Sequence, residues 1–252
     1  MSGHSKWHNI KLRKGKADAQ RGALFSKLSK EIILAGKSGS SDPEANYRLK
    51  MAVEKARENN MPADTIKRAI ARASGAGGER DIEEIRYEGY GPAGVAVVVD
   101  AATDNRNRTA SELRFLFTRN EGTLGETGSV GWMFDSRGFI DVEPAGLSED
   151  ALMERALGAG DGVVDVRYAP ERSEIVVEDN ALGRVREAVS GSGLRITDAY
   201  VGMEPKQSIR ADGEDLRKIV TFLDALEEHE DVQRVYSNLQ LDEAQVEALA
   251  RA

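Results

Sequence analysis

Near residue 82 the spacing of apolar residues changes from a helical period to an alternating one. The glycine-rich joint Gly75-Ala76-Gly77-Gly78 stands just before the change. A chain with two such periods in separate blocks cannot close around one kind of layer, so it must be α+β and multidomain. Before the joint, Leu24, Leu28, Ile32 and Ala35 recur at helical spacing, with Phe25 and Ile33 widening the stripe. Gly36 and Gly39-Ser40-Ser41 end that helix, and Asp42-Pro43-Glu44 predicts the cap and first turn of a second. Leu49, Val53 and Ala56 form its apolar face, and Asn59-Asn60 stops it. Pro62 opens a third helix with Ile66, Ile70 and Ala73 in line. Residues 18–80 therefore read as a helical bundle. Residues 1–17 are too polar to build a core and read as a basic arm.

After the joint, residues 82–87 and 95–99 read as strands joined through Gly89-Tyr90-Gly91-Pro92. A helix over 109–120 opens with the capping box Thr109-Ala110-Ser111-Glu112 and carries Leu113, Leu116 and Phe117. Residues 130–134 read as another strand. Strands at 139–142, 163–168, 174–177 and 194–201 then alternate with helices at 149–157 and 182–189. That order, β-α-β-β-α-β, predicts a ferredoxin-like domain over 136–205. A strand near 207–210 follows, then a helix capped by Asp212 with the stripe Leu216, Ile219, Val220, Leu223 and Leu226. A strand at 232–236 and a short helix from Asp242 close the chain. The strands before 135 are too few for a sheet, so residues 206–240 are expected to return and complete a discontinuous α+β domain with 81–135.

Charge is divided as sharply as periodicity. The first 80 residues carry 17 Lys+Arg against 8 Asp+Glu, and the remaining 172 carry 18 against 35. A net charge of −8 thus hides +9 in front and −17 behind. Lys6, Lys11, Arg13, Lys14, Lys16 and Arg21 are opposed only by Asp18 in the first 21 residues. Such an arm suits neutralisation of phosphates, and predicts a polyanionic partner at one end of the molecule. Trp7 among these cations either stacks on an unpaired base or staples the arm onto the bundle. A second candidate is the strand-to-helix segment 103–109, where Arg106 and Arg108 stand beside free backbone N–H groups that favour an anion. The plainer reading of the same segment is a polar turn capped by Thr109.

Enzyme motifs fail on inspection. Gly36-Lys37-Ser38 resembles the end of a P-loop, but Glu31 stands where the motif needs glycine and the preceding segment is helical. Residues 124–129, Leu-Gly-Glu-Thr-Gly-Ser, lack dinucleotide-binding spacing and read as a loop leading into a strand. His4 and His8 have no third ligand near them, and His229 lies in an acidic run read as a solvated helix end. No metal or cofactor is expected. With no cysteine and three histidines without partners in the sequence, nucleophile–base arrangements are scarce; acids abound for a carboxylate mechanism, but no pair of them stands out, and Glu88 reads as structural. No apolar run nears the roughly 18 residues needed to cross a bilayer. Neither a membrane partner nor a small-molecule substrate is expected, and the expected location is the cytoplasm.

Taken together, these segments resemble the YebC/PmpR family. The resemblance rests on Gly3-His4-Ser5-Lys6-Trp7 with Ile10 and Lys11; Asp42-Pro43; Asn60-Met61-Pro62 with Arg68-Ala69-Ile70; and Tyr87-Glu88-Gly89-Tyr90-Gly91-Pro92. It continues through 103–109, Leu124-Gly125-Glu126-Thr127-Gly128-Ser129-Val130, Asp231-Val232-Gln233 and Val235-Tyr236-Ser237-Asn238. The chain departs from the family pattern at Ser40-Ser41, where paired glycines are usual, and at Glu121-Gly122-Thr123, where the family tends to have Gly-Gly-Asn. The resemblance implies a helical bundle, an α+β domain and an inserted ferredoxin-like domain. It also implies a non-enzymatic, cytoplasmic nucleic-acid-binding regulator. Members of that family are generally labelled DNA-binding transcriptional regulators. Others, including a mitochondrial translational activator of cytochrome oxidase, are linked to the ribosome and to relief of stalling on proline-rich nascent chains. The expected partner is accordingly duplex DNA or, in the alternative, ribosomal RNA.

Overall fold

The computed structural model describes residues 18–75 and 81–251. Eight α-helices and two four-stranded antiparallel sheets lie among them, a mixed α+β fold. The described chain divides into two units, residues 18–133 with 209–239, and residues 134–208 with 240–251.

The first unit begins with three helices, α1 (Asp18–Lys37), α2 (Tyr47–Glu58) and α3 (Ala63–Ala73). Leu28, Ile32, Ala35, Leu49, Val53, Ala56 and Ile66 bury their apolar faces together, and Ala102 from the neighbouring sheet and Ile82 just before it join the same core. Asp42-Pro43-Glu44 does not start α2. Asp42 Oδ1 instead accepts from Glu44 N–H at 3.0 Å in a turn. The cap is Asn46, whose Oδ1 accepts from Leu49 N–H at 3.1 Å while its Nδ2 donates to the Ala35 and Ser40 carbonyls. An amide can tie three segments together where an aspartate can only accept, and that decides the start of the helix.

The sheet of this unit has the order β3-β1-β2-β8, from β1 (Glu83–Tyr90), β2 (Ala96–Thr103), β3 (Thr123–Leu124) and β8 (Val232–Ser237). β8 pairs with β2 through Val98↔Tyr236 and Val99↔Val235, after more than a hundred intervening residues. Helices α4 (Arg106–Arg119) and α7 (Gly213–Glu228) meet through Phe117 and Phe222, edge to face at 4.8 Å. A Cβ at Gly89 would lie 2.6 Å from the Phe117 ring and 2.5 Å from the Thr123 carbonyl, so only glycine lets the strand approach helix and neighbour so closely. α4 begins three residues earlier than the capping box predicts. Its cap is Asn105, which accepts from Arg108 N–H at 3.2 Å, and Thr109 is buried inside the first turn. Of the strand expected at 130–134 only Phe134 is extended: Gly131–Met133 is a 3-10 turn. The expected strand at 207–210 reduces to a single bridge between Ile209 and Leu239.

The second unit holds β4 (Phe134–Glu143), α5 (Glu149–Gly158), β5 (Val163–Arg167), β6 (Ser173–Glu178), α6 (Leu182–Gly191) and β7 (Arg195–Pro205), with strand order β5-β6-β4-β7. Ile140, Val142, Leu152, Ala156, Ile175, Val177, Val185 and Val189 form its core. β4 runs unbroken through Ser136-Arg137-Gly138, which the sequence pattern leaves outside a strand. Gly138 is there for close packing, since a Cβ would stand 2.6 Å from Val177 Cγ2. The chain ends with α8 (Glu243–Arg251), begun by a reciprocal pair in which Asp242 Oδ1 accepts from Gln245 N–H and Gln245 Oε1 from Asp242 N–H.

Candidate nucleic-acid interface

The arm residues Lys6, Trp7, Lys11, Arg13, Lys14 and Lys16 lie outside the described residues, and Arg21 lies on α1 with its side chain outside the description. Arg106 and Arg108 are described, and the structure treats them differently. Arg106 is exposed, with Nη1 4.0 Å from Glu83 Oε2, while its carbonyl accepts from Tyr87 Oη–H at 3.3 Å. Arg108 is partly exposed but held by carboxylates. Its Nη2 donates to Asp231 Oδ2 at 2.9 Å and stands 3.3 Å from Asp104 Oδ1.

Asp231 is the centre of this arrangement. Its side chain is fully buried, yet it is ionised. Lys30 of α1, Arg108 and Thr109 all donate to it. Burial alone would push the carboxyl up, but hydrogen bonds from Lys30, Thr109 and Arg108 outweigh it and hold the pKa down to about 2. Lys30 Nζ also donates to the Glu230 carbonyl at 3.0 Å, and Lys27 Nζ donates to that of Glu227. Two cations of the helical bundle are therefore occupied in fastening α1 to the α7–β8 junction, so they do not add to its outward charge.

His229 is not a solvated helix end. Its Nδ1 accepts from Asp231 N–H at 3.1 Å, which places the ring proton on Nε2, 3.0 Å from Glu112 Oε2. Glu112, His229 and Asp231 each bring a ligand atom within 4.8 Å of the others, a spacing that a cation could bridge. The donor set does not fit one. Lys30 and Arg108 already lie against Asp231, so a divalent ion would have to displace two positive charges. The cluster is an ion-paired joint.

A second anchored feature lies at the far end of β1. Glu88 is buried and accepts from the backbone N–H groups of Gly128, Val130 and Gly131 at 3.0, 2.9 and 2.6 Å. Burial raises its pKa, and these three donors more than reverse the effect, leaving it below the ordinary carboxylate range. This demand for N–H groups is what curls residues 128–131 away from a strand. The curled segment presents aromatic rings. Trp132 is 67% exposed and Tyr90 39%, and both donate to the Ser129 carbonyl.

The two units also differ in how their cations are used. Each of the eight Lys and Arg side chains in residues 134–208 has a carboxylate or carbonyl partner. Arg167, for example, is buried among Asp165, Glu174 and Glu204. In the first unit, Arg57, Lys67, Arg114, Arg119, Arg210 and Arg217 have none among the described residues. Sequence reasoning missed these. A helical wheel of α4 holds part of the signal, because Phe115 and Arg119 share a stripe facing away from Leu113 and Phe117.

Two family models cover most of the chain. Residues 82–239 match the model described as the TACO1/YebC second and third domain, and residues 5–76 that of the TACO1/YebC protein N-terminal domain. The chain belongs to the TACO1/YebC family. A relative from Pelotomaculum thermopropionicum, named "Probable transcriptional regulatory protein", is 48% identical over 96% of this chain and 100% of its own. One from Natranaerobius thermophilus with the same name is 47% identical over 98% and 99%. Among solved structures, that of a conserved hypothetical protein from Aquifex aeolicus superposes on this TACO1/YebC chain with a TM-score of 0.83. It is 42% identical, and the match covers 92% of this chain and 95% of that one.

Proposed function

We propose that this chain is a non-enzymatic, nucleic-acid-binding regulator of transcription in the cytoplasm, with duplex DNA as its partner. The observation that carries the reading is the segregation of charge, +9 in residues 1–80 and −17 in the rest. A protein that is acidic as a whole and cationic at one end meets a polyanion by that end. The names of the full-length relatives support the transcriptional part of the reading. Lys6, Lys11, Arg13, Lys14, Lys16 and Arg21 are read as phosphate ligands, with Trp7 among them as a further nucleic-acid contact. Arg106 extends the contact from the start of α4, and Arg108, with Nη2 given to Asp231, contributes chiefly by fixing that turn. The strand order β5-β6-β4-β7 supports reading residues 136–205 as a ferredoxin-like domain inserted into the discontinuous α+β domain.

The test is the salt dependence of binding to duplex DNA, measured by fluorescence anisotropy. A variant in which Lys11, Arg13, Lys14 and Lys16 are all changed to Ala should bind more weakly. Its log–log slope should flatten by roughly 0.9 for each phosphate that is no longer neutralised. An unchanged slope would remove the arm from the interface. Co-sedimentation of the protein with ribosomal particles, abolished by nuclease, would turn the reading from DNA to ribosomal RNA.

A further inference from the structure

The C-terminal end of α4 and the first turns of α7 enclose an open cleft of about 230 Å³, lined by Arg119, Glu121, Glu214, Arg217 and Lys218 among others. That is less than the roughly 300–1,000 Å³ of sites that swallow a whole small molecule. It suits a phosphate group on a chain that continues past the cleft. The two acids of the cleft face its lysine. Lys218 Nζ is 3.0 Å from Glu121 Oε2 and 3.7 Å from Glu214 Oε1. Arg119 and Arg217 have no acidic or carbonyl partner among the described residues. The cleft keeps one net positive charge, carried by two planar guanidinium groups suited to bidentate contact with phosphate.

Helix stability explains only one of these arginines. Arg119 lies in the last turn of α4, where a cation suits the helix dipole. Arg217 lies in the second turn of α7, past the first-turn acids Glu214 and Asp215 and far from the C-terminal turn where a cation would suit the dipole. One turn before Arg119 on the same stripe, Phe115 is 62% exposed, a large apolar ring left in solvent. Arg114 beside it is also without an ionic partner among the described residues.

We propose that the α4–α7 cleft is a second nucleic-acid contact, in which Arg119 and Arg217 hold the phosphates of a single strand while an unpaired base stacks on Phe115. This deepens, and rests on, the reading of the chain as a nucleic-acid-binding regulator. It assigns single-strand recognition to a place remote in sequence from the arm. Paired bases inside a duplex offer no free face to Phe115, so the site discriminates by strandedness and not by base identity.

The experiment uses the full-length chain and two probes, a single-stranded RNA of about 20 nucleotides without self-complementarity and a DNA duplex of about 20 base pairs, long enough to span several phosphate contacts. Arg119→Gln with Arg217→Gln should lower the single-strand salt slope by about 1.4, or about 0.7 for each phosphate. Arg119→Lys with Arg217→Lys should retain most of the slope. Phe115→Ala should weaken single-strand binding about ten-fold and leave duplex binding unchanged. All these side chains are exposed, and a shared melting temperature shows that each variant is folded. A parental slope in the double-Gln variant, with the parent binding RNA normally, overturns the cleft and leaves the arm intact. Equal weakening of both probes by Phe115→Ala overturns the stacking role. Failure of the parent to bind either probe overturns both this assignment and the functional reading beneath it.

Discussion

Thr109 Oγ1 lies 2.7 Å from Asp231 Oδ2, joining residues 122 positions apart in the chain. A hydroxyl has one proton, and a buried carboxylate is the strongest acceptor within reach, so Thr109 donates to Asp231. Thr103 Oγ1, 2.8 Å from Thr109 Oγ1, then donates to Thr109 and itself accepts from Asn105 N–H at 2.9 Å. A relay of hydrogen bonds thus runs from the end of β2 through the first turn of α4 to the start of β8.

Thr109→Val keeps the shape of the side chain and deletes the donor. Asp231 is deprived of one of its charge-assisted hydrogen bonds at a buried site. Urea unfolding should show a loss of about 1–3 kcal/mol, with little change in the denaturant slope. A loss below about 0.5 kcal/mol, the lower bound for an ordinary hydrogen bond, would mean that Lys30 and Arg108 alone satisfy the carboxylate.

The same carboxylate makes stability depend on pH. Its pKa is about 2 in the folded chain against an ordinary 3.8, so the folded state binds the proton less readily than the unfolded. Its contribution is complete above about pH 4 and disappears as pH falls from about 4 to 2. At roughly 1.4 kcal/mol per unit of pKa it amounts to about 2 kcal/mol. Glu88, also lowered, acts in the same direction. Denaturant midpoints at about pH 5 and pH 3, either side of the unfolded carboxylate's titration, measure the effect. Asp231→Asn should reduce the difference between them.

The apolar stripes made much of this architecture legible in the sequence. Leu216, Ile219, Val220, Leu223 and Leu226 are all buried on α7, as their period requires, though the stripe does not single out Phe222 of the same core. Leu24, counted in the stripe of α1, is 37% exposed. Capping was harder to read, since a side chain chooses partners that sequence spacing does not reveal. Thr109 matches a capping box, yet it sits inside the helix with its hydroxyl donating to Asp231, and the cap is Asn105, which accepts from Arg108 N–H. Val130, Trp132 and Phe134 alternate like a strand, but Glu88 takes the N–H groups that a strand would need. Of the candidate contacts, Arg106 stands 4.0 Å from Glu83 while Arg108 is held at 2.9 Å by Asp231, a difference set by a residue more than a hundred positions away.

Glu88→Gln should be more harmful than its small change in shape suggests. Three backbone N–H groups converge on the carboxylate, and an amide would turn donors toward donors. A loss of about 1–3 kcal/mol is expected. Hydrogen exchange at the Gly128, Val130 and Gly131 amides should accelerate by more than exchange in β2, which follows the global loss of stability alone. Unchanged exchange at those three amides would show that the loop holds its shape without Glu88.

Gly89→Ala tests the packing of β1. The new methyl would meet the Thr123 carbonyl at 2.5 Å and the Phe117 ring at 2.6 Å, and neither has room to retreat. Overpacking of this kind costs about 1–3 kcal/mol. A thermal melt should show the loss, whereas Gly183→Ala, with open space around its Cα, should melt no lower than the parent.

Because β2 waits for β8, the order of synthesis does not match the order of assembly. Thr103 leaves the polymerising machinery 134 residues before Ser237, an interval of roughly 7–27 s at about 5–20 residues per second. Throughout that interval one border of β2 has no hydrogen-bonding neighbour, and by its end every strand of the intervening segment has been made. The segment that interrupts the sheet can therefore be finished before the sheet it interrupts, and a nascent chain halted between them would expose a ready template for mispairing.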